Sequence, residues 1–423
     1  MSGPSSRVAL AMVGCGGMGM RRLEGHAALK RAGIDLCDLV AVCDLDEVNA
    51  AAAARRAGEL LGRMPAVYGD LETLVSESKP DALDIVTTVS SHHVVAVRAM
   101  ELGLHLMVEK PLAITTKAAL LIEKAAKRTG QIVSVAENYR RDPMNRLVRA
   151  VIDSGALGDP LMLVEAHLSP GDAVAITPWR HSKTSGGIFV DVAVHYADML
   201  QYFLGPVDQV HAWAGILEPV RRWKGLQWAA GGFYESSNRN AAGDYEATAE
   251  DSGAALMKLR NGASAQWTFI RGAGGGGSVD FRRIYFTGGT IVCPGDRSGE
   301  RVEVYLRGRD DAISGEAVLD LAPEFRLPEP AATLFGSDRV SGYDYPFNEA
   351  DARITGSEIW ELCRCVADGA APEVGLKEGL TALAVVNGVL ESQAAGRPVR
   401  VDDVIEGRAY AYQAEIDSAL GIR

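Results

Sequence analysis

The first 138 residues limit the fold most tightly, because short apolar runs and helical stretches alternate there almost without a break. "RVALAMVGCG" is an apolar run closed by glycines, and "CDLVAVCDLD" is a second that ends in acids. "ALDIVTTVSS", "LHLMVEKP" (cut by Pro111) and "QIVSVAEN" follow. Between them lie "RRLEGHAALKRAG", the alanine-rich "VNAAAAARRAGELLG", "HHVVAVRAMELG" and "TTKAALLIEKAAKRTG", each with helical spacing. Fully apolar strands separated by helices require a parallel sheet covered on both faces. A chain of 423 residues exceeds what one core usually holds. We therefore expect an α/β protein with a Rossmann domain over residues 1–138 and a second domain over 139–423.

The texture changes after Asn138. A helix is expected in "PMNRLVRAVIDSG". Hairpin chemistry then appears around Asn261-Gly262 in "AALMKLRNGASAQWTFI" and around Gly288-Gly289 in "FRRIYFTGGTIVC". The second domain is thus read as α+β with a large, mostly antiparallel sheet. Two stretches, 217–248 and 307–347, carry no clear period and read as long loops, a class that is often functional. Residues 272–278, "GAGGGGS", read as a flexible turn. Tryptophans and other aromatics, Trp223, Trp228, Phe233 and Tyr234, crowd the first of the long stretches. They either cover part of a bound ligand or serve an oligomer interface.

Net charge is −12, which argues against a nucleic-acid partner held by phosphate neutralisation. No run of 18 apolar residues is present and the amino terminus lacks an apolar signal core, so neither a membrane span nor a secretory signal is expected. The six cysteines lack metal-ligand spacing. Reduced thiols in a cytoplasm, and no metal site, are the expectation.

Gly14-Cys15-Gly16-Gly17-Met18-Gly19 fits G-x-G-x-x-G. Such a pattern is weak in a chain with 46 glycines, but this one follows a strand and opens a helix. Gly14 permits the tight turn, Gly16 leaves room for a pyrophosphate, and Gly19 lets the helix pack on the sheet. The helix start offers free N–H groups to phosphate. Asp44, at the end of "VAVCD", lies 25 residues past Gly19, near the ~20 expected for the acid that takes the adenosine ribose. A carboxylate there repels a 2′-phosphate, so NAD is favoured over NADP.

"GGIFVDVAVHYADML" raises a different question. It is an apolar helix, yet Asp191, His195 and Asp198 share one face at i, i+4 and i+7. Buried charge without a partner is costly, so the stripe faces solvent, pairs internally or lines a site. Together with the glycine motif, "HVVAVRAMELGLHLMVEKP", "NYRRDP", "EDSGAALMKLRNGA" and "GRPV", it resembles the Gfo/Idh/MocA family of glucose–fructose oxidoreductases and inositol dehydrogenases.

The resemblance implies that Lys110, Asp191 and His195 converge on a substrate carbinol. His195 would be the base and Lys110 would stabilise the alkoxide, the division of the proton between them being open. Asp191 would orient a neighbouring hydroxyl and support the imidazolium. It also implies a cis peptide before Pro111, with Thr88 and Glu109 beside the nicotinamide ribose. His92 either touches cofactor or packs. Of Arg140 and Arg141, one (Arg140 in our assignment) faces substrate and the other is solvated. Trp179 and Arg180 either bind sugar or pack. Asp198 is expected to cap or pair structurally.

The activity implied is hydride transfer between NAD and a secondary hydroxyl of a sugar, glycoside or cyclitol, by a homodimer or homotetramer. The rivals are an NAD-dependent glycosidase or lyase, a dihydrodiol dehydrogenase and, last, a non-catalytic NAD-binding regulator.

Overall fold

The computed structural model describes residues 7–226, 230–273, 275 and 277–422. Trp228 and part of the glycine run 272–278 lie outside the described residues. The first sheet is parallel, built from β1 (Val8–Val13), β2 (Cys37–Cys43), β3 (Ala66–Tyr68), β4 (Ala82–Ile85), β5 (His105–Glu109) and β6 (Val133–Ala136). Its order is β3-β2-β1-β4-β5-β6. The order reverses between β1 and β4, where the crevice for a ligand opens. The crossovers are α1 (Gly17–Arg31), α2 (Glu47–Leu61), α3 (Leu71–Ser78), α4 (His92–Glu101) and α5 (Thr116–Thr129). Their boundaries follow from local chemistry. Asp46 caps the amides of Val48 and Asn49 at the start of α2, Thr115 caps α5, and Gly62 and Gly130 end them in the left-handed region.

After α6 (Pro143–Asp153) the chain runs through β7 (Pro160–Pro170), α7 (Gly187–Leu204), β8 (Val207–Gly215), β9 (Val220–Arg222), β10 (Asp244–Glu246), β11 (Ser252–Leu259) and β12 (Ser264–Ala273). It continues through β13 (Val279–Phe286), β14 (Gly289–Cys293), β15 (Glu303–Leu306), β16 (Ile313–Ser314) and α8 (Ala331–Phe335). It closes with α9 (Phe347–Asp368), α10 (Leu376–Ala395), β17 (Val399–Arg400), α11 (Val401–Ile405) and α12 (Gln413–Ala419). Nine of these strands form a sheet in the order β16-β15-β14-β13-β7-β12-β11-β8-β17. Only the central pair, β7 and β12, runs parallel among the described residues, so the sheet is mixed but mostly antiparallel.

One face of this sheet is closed. Phe189 of α7 sits against Trp267 and Phe269 at ring separations of 5.6 and 5.4 Å. On the other face Trp213, Leu256, Val279 and Phe281 stay exposed. Helix α9 crosses back to the first sheet, where Gly25 of α1 lies so close that a Cβ would meet Thr355 Cγ2 at 2.8 Å.

Three local expectations need correction. The loop around Asn261 holds three residues rather than two, because Leu259 faces Ala263 and only Gly262 takes a positive φ, +91°. The Asn261 side chain donates to the Leu204 carbonyl instead of adopting a primed-turn conformation. The stretch 217–248 is not structureless: β9 and β10 pair as a two-stranded ribbon, and between them in the chain lie short 3-10 turns at Gly231–Tyr234 and Ser236–Asn238. Likewise 307–347 contains β16, a 3-10 turn over Gly315–Leu321 and α8.

Candidate active site

The glycine loop lies at the carboxyl end of β1, at the reversal of strand order. Gly14 has φ +99°, and a Cβ there would come within 2.6 Å of the Val86 carbonyl group. A Cβ on Gly19 would strike the Gly14 oxygen at 2.3 Å. Both positions therefore require glycine. The Asp44 carboxylate accepts the amides of Cys15, 2.7 Å, and Asp46, 2.8 Å, which locks it beside the loop. Gly16, before α1, has no side chain to cap the first amides. This donor set, with the acid at the end of β2, fits a dinucleotide. Met18 is half-buried behind the loop, packed on the cluster of Met12, Leu23 and Val42.

At the end of β5 the Lys110–Pro111 peptide is cis. Lys110 Nζ reaches the Asp191 backbone oxygen at 2.9 Å and its Oδ1 at 3.3 Å. Asp191 Oδ2 accepts from Arg180 Nε at 2.7 Å, and Arg180 also donates to Thr177 Oγ1 at 2.5 Å. Burial works against charge on Asp191, yet Arg180 and Lys110 hold its carboxyl well below the usual carboxylate range. The polar stripe of α7 thus pairs internally.

His195, one turn on, is not bonded to Asp191. Its Nδ1 lies 2.6 Å from Glu137 Oε1, and its ring stacks on Tyr139 with centroids 4.1 Å apart and planes within 3°. Burial, then the charges of Lys110 and Arg297, pushes the imidazole well below its ordinary value. Burial pushes Glu137 up to about 7, against the pull of Lys110. With Nδ1 committed to the carboxylate, Nε2 is the nitrogen left for substrate. Glu137 was missed in the sequence. Its signal was its place: an acid directly after the last strand of a Rossmann sheet, at the carboxyl end where ligands bind.

Other expectations change in detail. The Glu109 carboxylate is taken by Arg22, 3.0 Å, and by the Lys110 amide, 3.0 Å, rather than standing open toward a ribose. Thr88 is exposed just before α4. His92 is fully inside, its Nδ1 2.9 Å from the Pro111 oxygen and its Nε2 3.2 Å from the Thr87 oxygen. It braces the turn that carries Lys110, which favours the packing alternative. Neither arginine of "NYRRDP" is solvated. Arg140 forks onto Asp198 with two bonds of 2.6 Å, and Arg141 joins Glu361 and, at 2.5 Å, Glu373. Asp198 therefore pairs with Arg140 instead of extending the site. Trp179 packs with Val89, Ile114 and Ile416, and its ring lies 4.3 Å from the Arg180 guanidinium. Among the described residues no group of three or more His, Cys, Asp or Glu is placed to hold a metal ion, and no helix is long and apolar enough to cross a membrane.

Residues 8–137 match the family model described as oxidoreductase family, NAD-binding Rossmann fold, and residues 145–292 match that of the GFO/IDH/MocA C-terminal domain. A D-apiose dehydrogenase of Paraburkholderia graminis is 28% identical over 202 residues, 48% of this chain and 51% of the relative. A levoglucosan dehydrogenase of Pseudarthrobacter phenanthrenivorans is 28% identical over 255 residues, 59% of this chain and 63% of the relative. The match thus spans between half and two thirds of these curated relatives. In fold, the chain is similar to levoglucosan dehydrogenase in complex with NADH, with a TM-score of 0.76 and 22% identity, covering 94% of this chain and 99% of the other.

Proposed function

Because the chain belongs to the Gfo/Idh/MocA oxidoreductase family, we propose that it transfers a hydride between NAD and a secondary hydroxyl of a sugar, glycoside or cyclitol. The observation that carries this reading is the junction of Lys110 with Asp191, one helical turn from a histidine whose Nδ1 is fixed by Glu137. NAD, when bound, supplies the hydride acceptor. His195 Nε2 takes the hydroxyl proton, since its Nδ1–H is held by the Glu137 carboxylate and its ring is neutral before the step; the imidazolium that results is balanced by that carboxylate. Lys110 donates to the same substrate oxygen and stabilises developing negative charge. Asp191 holds the ammonium in place and accepts from a neighbouring hydroxyl, with Arg180 fixing the carboxylate in turn. Asp44 takes the adenosine ribose.

Sugar dehydrogenases among the relatives support the substrate class. The break between the matched regions, residues 137 and 145, supports a domain division near residue 138. The exposed apolar face of the nine-stranded sheet supports a homodimer or homotetramer, and the six free cysteines suit a reducing cytoplasm. The test is a panel of polyols, sugars and glycosides with NAD+, read at the absorbance of the reduced nicotinamide. Stoichiometric NADH formation with at least one secondary alcohol is expected. Bond cleavage with no net NADH would replace this reading with the transient-oxidation glycosidase.

A further inference from the structure

Residues 230–240 come from the far side of the molecule in sequence, yet they lie on the glycine loop. The Tyr234 ring covers Gly17 so closely that a Cβ there would meet ring carbons at 2.1 and 2.4 Å. Tyr234 Oη also accepts from Arg21 of α1 at 3.4 Å. Ser237 Oγ accepts the Gly17 amide at 3.2 Å, and a Cβ on Gly16 would meet this oxygen at 3.0 Å. Arg239 reaches Asn49 Oδ1 at 3.3 Å and the Ser236 carbonyl at 3.0 Å, and pairs with Asp46 two residues beyond Asp44. These contacts fall on the backbone that a dinucleotide diphosphate and its adenosine ribose need.

We propose that residues 230–240 form a strap over the diphosphate end of the dinucleotide site, with Ser237 and Arg239 as its ligand-facing side chains. The strap must lift from Gly17 for NAD to enter or leave. This rests on the NAD-binding reading of the glycine loop. Gly17 opens α1, so its amide has no acceptor within the helix, and the Ser237 hydroxyl takes the place of a phosphate oxygen. An anionic phosphate is the stronger acceptor. It displaces the hydroxyl from the amide, and the hydroxyl then donates to the phosphate. Arg239 is half-exposed, and a surface ion pair holds a side chain weakly. Its guanidinium can turn from Asp46 to the diphosphate while the strap stays down.

The anchor of the strap runs on toward the substrate. Asn238 Nδ2 donates to the Ile176 carbonyl at 2.9 Å and to the Tyr234 carbonyl at 3.0 Å. Ile176 has φ +62°, a rare state for a β-branched residue. The next residue, Thr177, receives Arg180, which holds Asp191. The strap therefore joins the cofactor loop to the residue that fixes Asp191.

The test measures NADH association and dissociation by stopped-flow fluorescence on the full chain, for wild type, Ser237→Ala, Arg239→Ala and Arg239→Lys. Arg239 is half-exposed, and circular dichroism checks that each variant is folded. Arg239→Ala should release NADH at least tenfold faster, with Arg239→Lys recovering most of that loss. Ser237→Ala, which frees the Gly17 amide, should speed association severalfold. Release and association within twofold of wild type in both alanine variants would overturn the strap while leaving the NAD reading intact. A wild-type protein that binds no NADH would overturn both.

Discussion

Glu109 and Lys110 are neighbours in the chain, yet they belong to two buried charge groups built in opposite ways. Glu109 points into a closed group around Arg22. That guanidinium is wholly buried, lies 3.0 Å from Glu109, 2.5 Å from Glu358 of α9 and 3.2 Å from Asp84 of β4, and so faces three carboxylates. Lys110 points the other way, to Asp191 and Arg180, and its side chain keeps 16% exposure. In the first group the acids outnumber the base and are buried with it. Burial pushes Asp84 up to about 6 and Glu358 up to about 7, even beside Arg22. In the second group the bases win, and Asp191 stays ionised. A group with excess acid and no opening can clamp α9 to the first sheet but offers nothing to a ligand. A group with a partly open ammonium can meet one.

The contrast predicts different failures. Arg22→Ala should cost the most, about 3–5 kcal/mol of stability, because three buried carboxylates lose the guanidinium they share. Denaturant unfolding would measure it, and a loss under about 1 kcal/mol would show that the clamp is not closed as described. Lys110→Ala and His195→Ala should leave the unfolding midpoint near wild type and lower turnover at least about a hundredfold each. Their NADH affinity should hardly change. Wild-type turnover in both would remove the roles assigned to them.

Glu137 sharpens the second group. While its carboxylate is ionised it accepts Nδ1–H, and Nε2 carries a free lone pair. When it is protonated, near pH 7 and below, the carboxyl donates to Nδ1 and the imidazole hydrogen moves to Nε2, where it blocks proton abstraction. Oxidation of an alcohol should therefore fall as pH drops below about 7, in a one-proton step. Glu137→Gln should lower kcat roughly tenfold to a hundredfold, with a smaller change in KM, and should remove or displace that step. A variant whose pH profile overlays wild type would leave Glu137 a purely structural partner.

The two groups also differed in how far they could be read from the sequence. Gly14, Gly19 and Asp44 sit at strand ends in fixed local patterns, and Asp191 and His195 share a helix face, so spacing exposed them, whereas Lys110 and its convergence with that face came from the family resemblance. The partners of those residues come from elsewhere in the chain. Glu137 lies 58 residues from His195, and Glu358 lies 336 from Arg22. No periodicity links such positions, so only folding reveals that His195 answers to Glu137 and not to Asp191. For the same reason Arg140 looked available to substrate: Asp198 was expected to pair structurally, but no spacing pointed to a partner 58 residues away. The strap was hidden differently: 3-10 turns carry neither the helical nor the strand period, and residues 230–240 read as loop.

The smallest effect concerns Glu358, and it separates a clamp of excess acid from an ordinary ion pair. A carboxyl whose folded pKa lies above its unfolded value favours folding while protonated. That contribution is complete below the unfolded pKa, near 4.5, and is lost as pH rises through about 7 for Glu358. An acid held low, as Asp191 is, behaves in the reverse sense and loses its contribution only in strong acid. Glu358 Oε1 is buried without a hydrogen-bond partner, which suits a neutral carboxyl carrying its proton there. Glu358→Gln retains an acceptor for Arg22 and cannot ionise. Its stability relative to wild type should therefore improve between pH 5 and pH 8, by up to about 1.4 kcal/mol for each unit by which the folded pKa exceeds the unfolded one. Denaturation midpoints across that range measure the trend. A relative stability that instead worsens with rising pH would show that Glu358 is ionised in a conventional ion pair and that Arg22 is matched, not outnumbered.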